Sequence, residues 1–244
     1  MTTTHSASRT ARERARAELT REIKEEARHQ LAASGAQGLS LRSVARELGM
    51  VSSALYRYFR SRDELLTALI VDAYDALGAA AEAASDAVPA ADIRGRWRAC
   101  CGAIRGWALA NPHEYALIYG SPVPGYQAPQ ATVASAVRVV RVMGAILADA
   151  GSSGRRADAR HPQEPLPAEL ARQVAIIAEA IAPGVSDGVL TRALIAWTQL
   201  FGMISFELFG QFVGSLEPAD LFFGYTVDRM ADYIGLPSRQ TVTH

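Results

Sequence analysis

The stretch from Leu39 to Leu66, LSLRSVARELGMVSSALYRYFRSRDELL, constrains the fold more than any other part of the chain. It reads as a short helix, a Gly49-Met50 turn, a second short helix from about Ser52 to Phe59, and the start of a long helix at Ser61. Two short helices joined by a tight turn containing glycine form the helix-turn-helix pattern, whose second helix can enter a DNA major groove. Ser40 is placed to cap the helix before the turn, and Ser61 the long one. Asp63 and Glu64 then fall in the first turn of the long helix, where the dipole favours them. Ser52 opens the helix between them, so three serines mark local helix N-termini.

The remainder also reads as helical. Alternating β-branched runs are missing, and Ala, Leu, Arg and Glu dominate, so the expectation is an all-α chain. A first helix is expected from about Thr10 to Ala33, stopped by Ser34-Gly35, with Leu19, Ile23, Ala27 and Leu31 as one buried stripe. The long fourth helix should run to about Ser85, and Pro89 to Asp92 opens the next, which ends before Asn111-Pro112. A short helix follows to Tyr119, then a proline-rich loop over 120–129. One long helix is expected over about 130–150, a flexible linker over 151–167, and three more helices over 168–181, 186–213 and 218–234. The expected division is a disordered arm over 1–9, a DNA-binding domain over 10–60, a larger helical domain over 61–236 and a tail over 237–244.

Composition narrows the class. Hydrophobic content of 49% with 20% charged residues fits a soluble globular protein. Zero net charge hides an asymmetry. Residues up to Leu65 hold 12 Lys+Arg against 8 Asp+Glu, a net of +4, and the remainder is −4. A basic N-terminal part suits phosphate contact. The first residues lack the pattern of a secretory leader, and the apolar run from Ala193 to Gly210 carries Gln199 and Glu207, so a buried helix is expected there and no membrane partner. Cys100 and Cys101 are adjacent and cannot staple distant segments, which fits a reducing, cytoplasmic setting.

A helical wheel with Leu55 as origin sorts the second short helix into two faces. Phe59 falls about 40° away and Ser52 about 60°, while Tyr56 lies at about 100°, Ser53 at about 160° and Arg57 at about 200°. Leu55 and Phe59 form an inner face for Val44 and Leu48. The outer face carries a hydroxyl, a phenol and a guanidinium, groups that bond base edges and phosphates, with Val51 and Ala54 available to thymine methyls.

On Leu39-Ser-Leu-Arg-Ser-Val-Ala45, the Leu48-Gly49 turn, Leu55-Tyr-Arg-Tyr-Phe59 and Arg62-Asp-Glu-Leu-Leu66, the segment resembles the DNA-binding domain of the TetR (tetracycline repressor) family of bacterial transcriptional regulators. The resemblance spans roughly Arg14 to Leu69. Arg62 stands where the family usually has lysine, and Tyr58 where histidine is frequent. It implies that Ser52, Ser53, Ala54 and Arg57 face the bases. Tyr56 and Tyr58 would contact phosphates, and Ser40, Arg42 and Arg62 would grip the backbone. For Arg9, Arg12, Arg14 and Arg16 two readings stand, a basic arm that reaches a minor groove and a merely solvated stretch.

The family also implies a second domain with an effector cavity and a dimer interface made by the last two helices. The helix over 186–213 is apolar on most faces, through Leu190, Leu194, Trp197, Leu200, Phe201, Ile204, Leu208 and Phe212, and needs burial on several sides. The final helix adds Leu221, Phe222, Tyr225, Met230 and Tyr233. Trp97, Trp107, Tyr115, Tyr119, Trp197, Met203 and Phe206 are the candidate effector-cavity residues, and each also suits an ordinary core. The segments from Trp107 to Tyr126 and from Trp197 to Gly202 resemble a C-terminal subgroup of TetR regulators common in actinobacteria.

Other chemistry is missing from the pattern. The five histidines are scattered without metal-ligand spacing, and there is no Gly-rich phosphate loop or Gly-x-Ser-x-Gly elbow. No catalytic residue, metal or cofactor is expected. The expected function is a ligand-responsive, homodimeric repressor that binds a palindromic operator in double-stranded DNA. The competing readings are an activator of the same fold, a helical enzyme, which would need a titratable cluster in the larger domain where Glu207 is the lone carboxylate of the most apolar helix, and a helical adaptor that leaves Tyr56, Arg57 and Arg62 unexplained.

Overall fold

The computed structural model describes the backbone of residues 3–152 and 165–237, and side chains from Thr10 onward. Among the described residues every regular element is helical: α1 (Thr3–Ser34), α2 (Leu41–Glu47), α3 (Ser52–Leu55), α4 (Arg62–Asp86), α5 (Ile93–Ala110), α6 (Pro112–Tyr119), α7 (Val133–Ala136), α8 (Arg138–Ser152), α9 (Ala168–Ile181), α10 (Asp187–Leu208) and α11 (Ala219–Ile234). Single 3-10 turns cover Ala36–Gly38 and Gln130–Thr132.

Several boundaries differ from the sequence reading. α1 begins at Thr3, so a helix occupies most of the segment expected as a disordered arm. Of residues 3–9, Ala7 and Arg9 are strong helix formers, so the helix there is the continuation of one already nucleated downstream, which propagates at little cost. The helix expected over 130–150 is broken near Val137 into α7 and α8. α10 stops at Leu208 because Gly210, at φ 78°, takes the left-handed conformation that closes a helix end. Most of the expected linker, residues 153–164, and of the tail, residues 238–244, lies outside the described residues.

The chain packs as two compact units, one of residues 1–73 and 111–133, the other of 74–110 and 134–244. The expected boundary near residue 60 follows the motif, whereas the packing draws α6 and the loop after it into the first unit. In that unit the α1 stripe is buried at Ile23, Ala27 and Leu31, against a core including Val44, Leu55, Leu65 and Leu69. Tyr115 of α6 is fully buried. Arg28 on α1 bonds Asp72 on α4 at 2.9 Å and Glu114 on α6 at 3.0 Å, and Tyr126 bonds Thr67 at 2.9 Å. These links explain why α6 clusters with α1 and α4.

In the second unit α5 packs against α8, α10 and α11. Its buried positions Ile93, Trp97, Cys100, Cys101, Ile104 and Ala108 recur every three or four residues, the spacing of one helix face. Beside that face a row of arginines zips α5 to α11. Arg94 pairs with Asp232, Arg98 with Asp228 at 2.5 Å, and Arg105 with Asp220 at 2.7 Å. Burial pushes the Cys100 thiol up to about 12 and Cys101 upward as well, so neither supplies a thiolate near neutrality. α10 is long and apolar enough to cross a bilayer, but it packs on α9, α11 and α5.

Candidate nucleic-acid interface and effector cavity

The helix-turn-helix is built by local capping. Ser40 Oγ accepts the Ser43 amide at 3.4 Å, and Ser40 N donates to Gln30 of α1 at 3.2 Å, fixing the entry to α2. After α2, Gly49 at φ 65° lets Met50 N reach Ala45 O at 2.8 Å and Gly49 N reach Arg46 O at 3.1 Å. That paired bond closes the helix and turns the chain. Ser61 Oγ accepts the Glu64 amide at 3.1 Å, and the Glu64 carboxylate accepts the Arg60 amide at 2.6 Å, a capping box at the start of α4. The expected third cap differs: Val51 is the N-cap of α3, with no side-chain cap bond, and Ser52 is its first residue.

The segment after the turn is shorter as a helix than expected. α3 proper is Ser52–Leu55, and Tyr56 to Tyr58 continue as turns, with Arg57 N bonded to Ala54 O at 3.2 Å and Tyr58 N to Leu55 O at 2.8 Å. Its two faces nonetheless sort as the wheel predicts. Leu55 and Phe59 are buried with Val44, and Leu48 is half-buried. Ser53, Tyr56 and Arg57 are exposed, Ser52, Ala54 and Tyr58 half-buried, and Val51 strongly exposed. The outer side therefore offers small hydroxyls, a methyl and an isopropyl group, and one long cation to a groove.

A polar cleft beside this face is lined by Ser40, Arg42, Tyr56, Arg60, Ser61 and Arg62. It joins the starts of α2 and α4 and carries three guanidinium groups, the donor set a phosphate backbone requires. Arg60 was not among the sequence candidates. Its only signal is its place next to the α4 cap. Arg62 lines this cleft and is also bound within the chain. Its Nη2 donates to Ala36 O at 2.7 Å and its Nε to Leu39 O at 3.1 Å, so the guanidinium ties the start of α4 to the chain before α2. Arg16, one of the basic-arm arginines, is bound within the chain as well. It lies over the Tyr58 ring at 5.1 Å and donates to Arg57 O at 3.3 Å.

The second unit contains an apolar cavity of about 190 Å³. Its walls are Trp97 of α5, Val140, Met143, Gly144 and Leu147 of α8, Ile177 and Ile181 of α9, and Leu190, Ala193, Leu194 and Trp197 of α10. No lining side chain is charged. The Trp97 indole N–H is already given to Val227 O on α11, at 3.0 Å, and the Trp197 ring lies tilted at 44° against Phe201 with centroids 4.4 Å apart. Of the expected cavity aromatics the structure brings only Trp97 and Trp197 into one wall. Tyr115 and Tyr119 contact each other at 5.3 Å in the first unit. Met203 is buried outside the lining, Trp107 is half-buried on α5, and Phe206 is 55% exposed. The lining aliphatics of α8 and α9 were missed because their spacing is that of any packed helix.

Glu207, the lone carboxylate of the apolar run, is held by Arg105 at 2.5 and 2.6 Å, and Arg105 also covers the Phe223 ring at 4.8 Å. Among the described residues no group of three or more His, Cys, Asp or Glu side chains could hold a metal.

Comparison with known proteins agrees with this arrangement. Residues 23–69 match the family described as bacterial regulatory proteins, tetR family, and residues 97–230 match the tetracyclin repressor-like C-terminal domain. An HTH-type transcriptional regulator of Mycobacterium tuberculosis is 41% identical over 214 residues, covering 87% of this chain and 91% of its own length. The same figures hold for a regulator of Mycobacterium bovis. Among solved structures, the regulatory protein SCO4313 aligns with a TM-score of 0.71 at 35% identity, over 90% of this chain and 98% of its own. A protein of unknown function from Rhodococcus sp. RHA1 aligns at 0.67 and 27% identity, over 90% and 96%. These relatives are regulators where a function is named, not enzymes. The chain belongs to the TetR family of helix-turn-helix, DNA-binding transcriptional regulators.

Proposed function

We propose that this regulator is a cytoplasmic homodimer that represses transcription from a palindromic operator and releases it when an uncharged apolar molecule enters the second unit. Ser52, Ser53, Ala54 and Arg57 read bases, with Arg57 suited to guanine O6 and N7. Ser40, Arg42, Tyr56, Tyr58 and Arg60 hold phosphates, while Arg62 shapes the cleft between them. Two such heads, related by a two-fold axis, would read two half-sites about one helical turn apart.

The single observation that carries the ligand-responsive part is the cavity of about 190 Å³ lined without a charge. A partly open pocket with apolar walls of this size suits an apolar guest, whose burial removes those walls from water. Dimerisation through the last two helices is supported by their surfaces. Ile195, Phe206 and Phe209 are 48%, 55% and 51% exposed, and Leu221 and Tyr225 are 81% and 66% exposed. Gly202 and Gly224 have open space where a Cβ would stand, which lets a partner helix approach closely.

Release requires the effector to favour one of two conformations. α4 is the covalent lever, since it belongs to the first unit up to Ala73 and to the second from Tyr74. The chain from α5 into α6 at Asn111 is a second link between the cavity wall and the head.

The test begins with a duplex enriched by the protein from a random-sequence pool. Uncharged aromatic and aliphatic compounds are screened by thermal shift, and the hits are added to the DNA complex. The expected result is release by compounds that lose their thermal shift in Ala193→Trp, which fills the cavity. Hits that stabilise this variant equally, or leave the DNA complex intact, would contradict the proposal.

A further inference from the structure

The recognition segment has one turn of regular α-helix, Ser52–Leu55, followed by turns that carry Tyr56, Arg57 and Tyr58. Its inner side is anchored by Leu55 and Phe59, which are 0% and 5% exposed. Nothing in that packing fixes the direction in which Arg57 leaves the outer side. A carbonyl in the turns after α3 has no place in a helical ladder, and a guanidinium can supply its donor. Arg16 supplies one from α1, 41 residues away in sequence. Its Nη2 donates to the Arg57 carbonyl at 3.3 Å, and its guanidinium lies over the Tyr58 ring, 5.1 Å from the centroid. The two contacts grip consecutive residues. The Arg16 backbone is itself continuous α-helix, and its carbonyl accepts Thr20 Oγ1 at 2.8 Å.

We propose that Arg16 is a positioning residue for DNA reading: it sets the direction of the Arg57 side chain through the Arg57 carbonyl and the Tyr58 ring, and thereby sets base specificity. This rests on the reading of the Ser52–Phe59 face as the DNA-contacting surface. It departs from the role of a basic arm, in which Arg16 would meet DNA directly. The two roles leave different signatures. A residue that only neutralises a phosphate contributes equally to all sequences and adds about 0.9 to the slope of log affinity against log salt. A residue that orients a base-reading arginine contributes to the preferred sequence and leaves the slope unchanged.

The experiment uses the full-length protein and its Arg16→Ala and Arg16→Lys variants, with a duplex enriched by the native protein from a random pool and a scrambled duplex of the same length and composition. Affinity is read by fluorescence anisotropy between about 50 and 200 mM salt. Arg16→Ala is expected to lose about tenfold on the enriched duplex, less than twofold on the scrambled one, with the slope unchanged. Arg16→Lys should behave like Arg16→Ala, because an ammonium has neither the planar face nor the rigid fork of donors. Hydrogen exchange of the DNA-free protein should quicken at the Tyr58 and Phe59 amides and stay unchanged in α2 and α4. Equal loss on both duplexes with a slope lower by about 0.9 would make Arg16 a phosphate contact and overturn the proposal. So would native behaviour of Arg16→Lys, or equal loss on both duplexes with a lowered thermal midpoint, which would mark a general fold defect. Failure of the native protein to enrich any sequence would overturn the DNA-face reading itself, and the exchange measurement would still report whether Arg16 holds the segment.

Discussion

Replacing Arg62 by alanine separates two roles that its position in the motif cannot. The side chain is 31% exposed, faces Asp63 at 3.5 Å, and donates to the carbonyls of Ala36 and Leu39 at 2.7 and 3.1 Å. A hydrogen bond to a charged group contributes roughly 1.5–3 kcal/mol when buried. With a third of the side chain in water, solvent replaces part of each bond. The net loss is about 2 kcal/mol for the pair. For a chain of this size that lowers the thermal midpoint by about 4–8 °C. The assay pairs thermal unfolding with anisotropy on an enriched duplex across a salt series. The expected outcome is a lower midpoint, weaker binding that recovers on cooling, and an unchanged salt slope. A native midpoint with a slope lower by about 0.9 would refute this account and return Arg62 to direct phosphate contact.

Other consequences concern the second unit. A Cβ at Gly144 would overlap the carbonyl oxygen of Ile181, so Gly144→Ala must push α8 and α9 apart at the cavity wall. It should cost about 1–3 kcal/mol of stability and weaken thermal-shift hits, as measured by denaturant unfolding and by titration of those hits. Leu221→Asp combined with Tyr225→Asp places charges on side chains that are already exposed, and should yield monomers in sedimentation while far-ultraviolet circular dichroism stays native. The hydrogen bond from Arg98 holds the Asp228 carboxyl below its ordinary 3.8. A depressed carboxyl stabilises the fold above its unfolded value and loses that contribution as pH falls through the folded one. Asp228→Asn should therefore show a smaller drop in thermal midpoint than the native chain between about pH 4 and pH 2.

What could be read from the sequence was local. Ser40, Gly49 and Ser61 act within a few residues of themselves, and the structure uses each as its residue type suggests. The sorting of Leu55 and Phe59 from Tyr56 and Arg57 needed only the helical period. Features set by distant partners were not legible. Arg28 meets Glu114 across 86 residues, which carries α6 and the Tyr115–Tyr119 pair into the first unit, whereas the cavity belongs to the second. The resemblance assigns Arg62 to the DNA backbone, and its bonds within the chain were not legible because the carbonyls it binds lie 23 and 26 residues upstream. Trp97 and Trp197 of the expected aromatics line the cavity, whereas Ile177, Ile181 and Leu147 were not legible as lining because they carry the same pattern whether they close a core or leave a space in it. α1 was read as starting late because the polar stretch from Thr3 to Ser8 has no apolar period, although a helix needs none where it continues one already formed.

The central claim is that the outer face of the Ser52–Phe59 segment reads DNA. The most direct measurement is selection of duplexes from a random pool by the native protein and by Arg57→Ala, followed by sequencing of the enriched molecules. The native protein is expected to enrich an inverted repeat with a guanine at one symmetric position in each half-site, and Arg57→Ala to lose the preference at that position alone. An unchanged preference in Arg57→Ala, or no enriched sequence with the native protein, would contradict the claim.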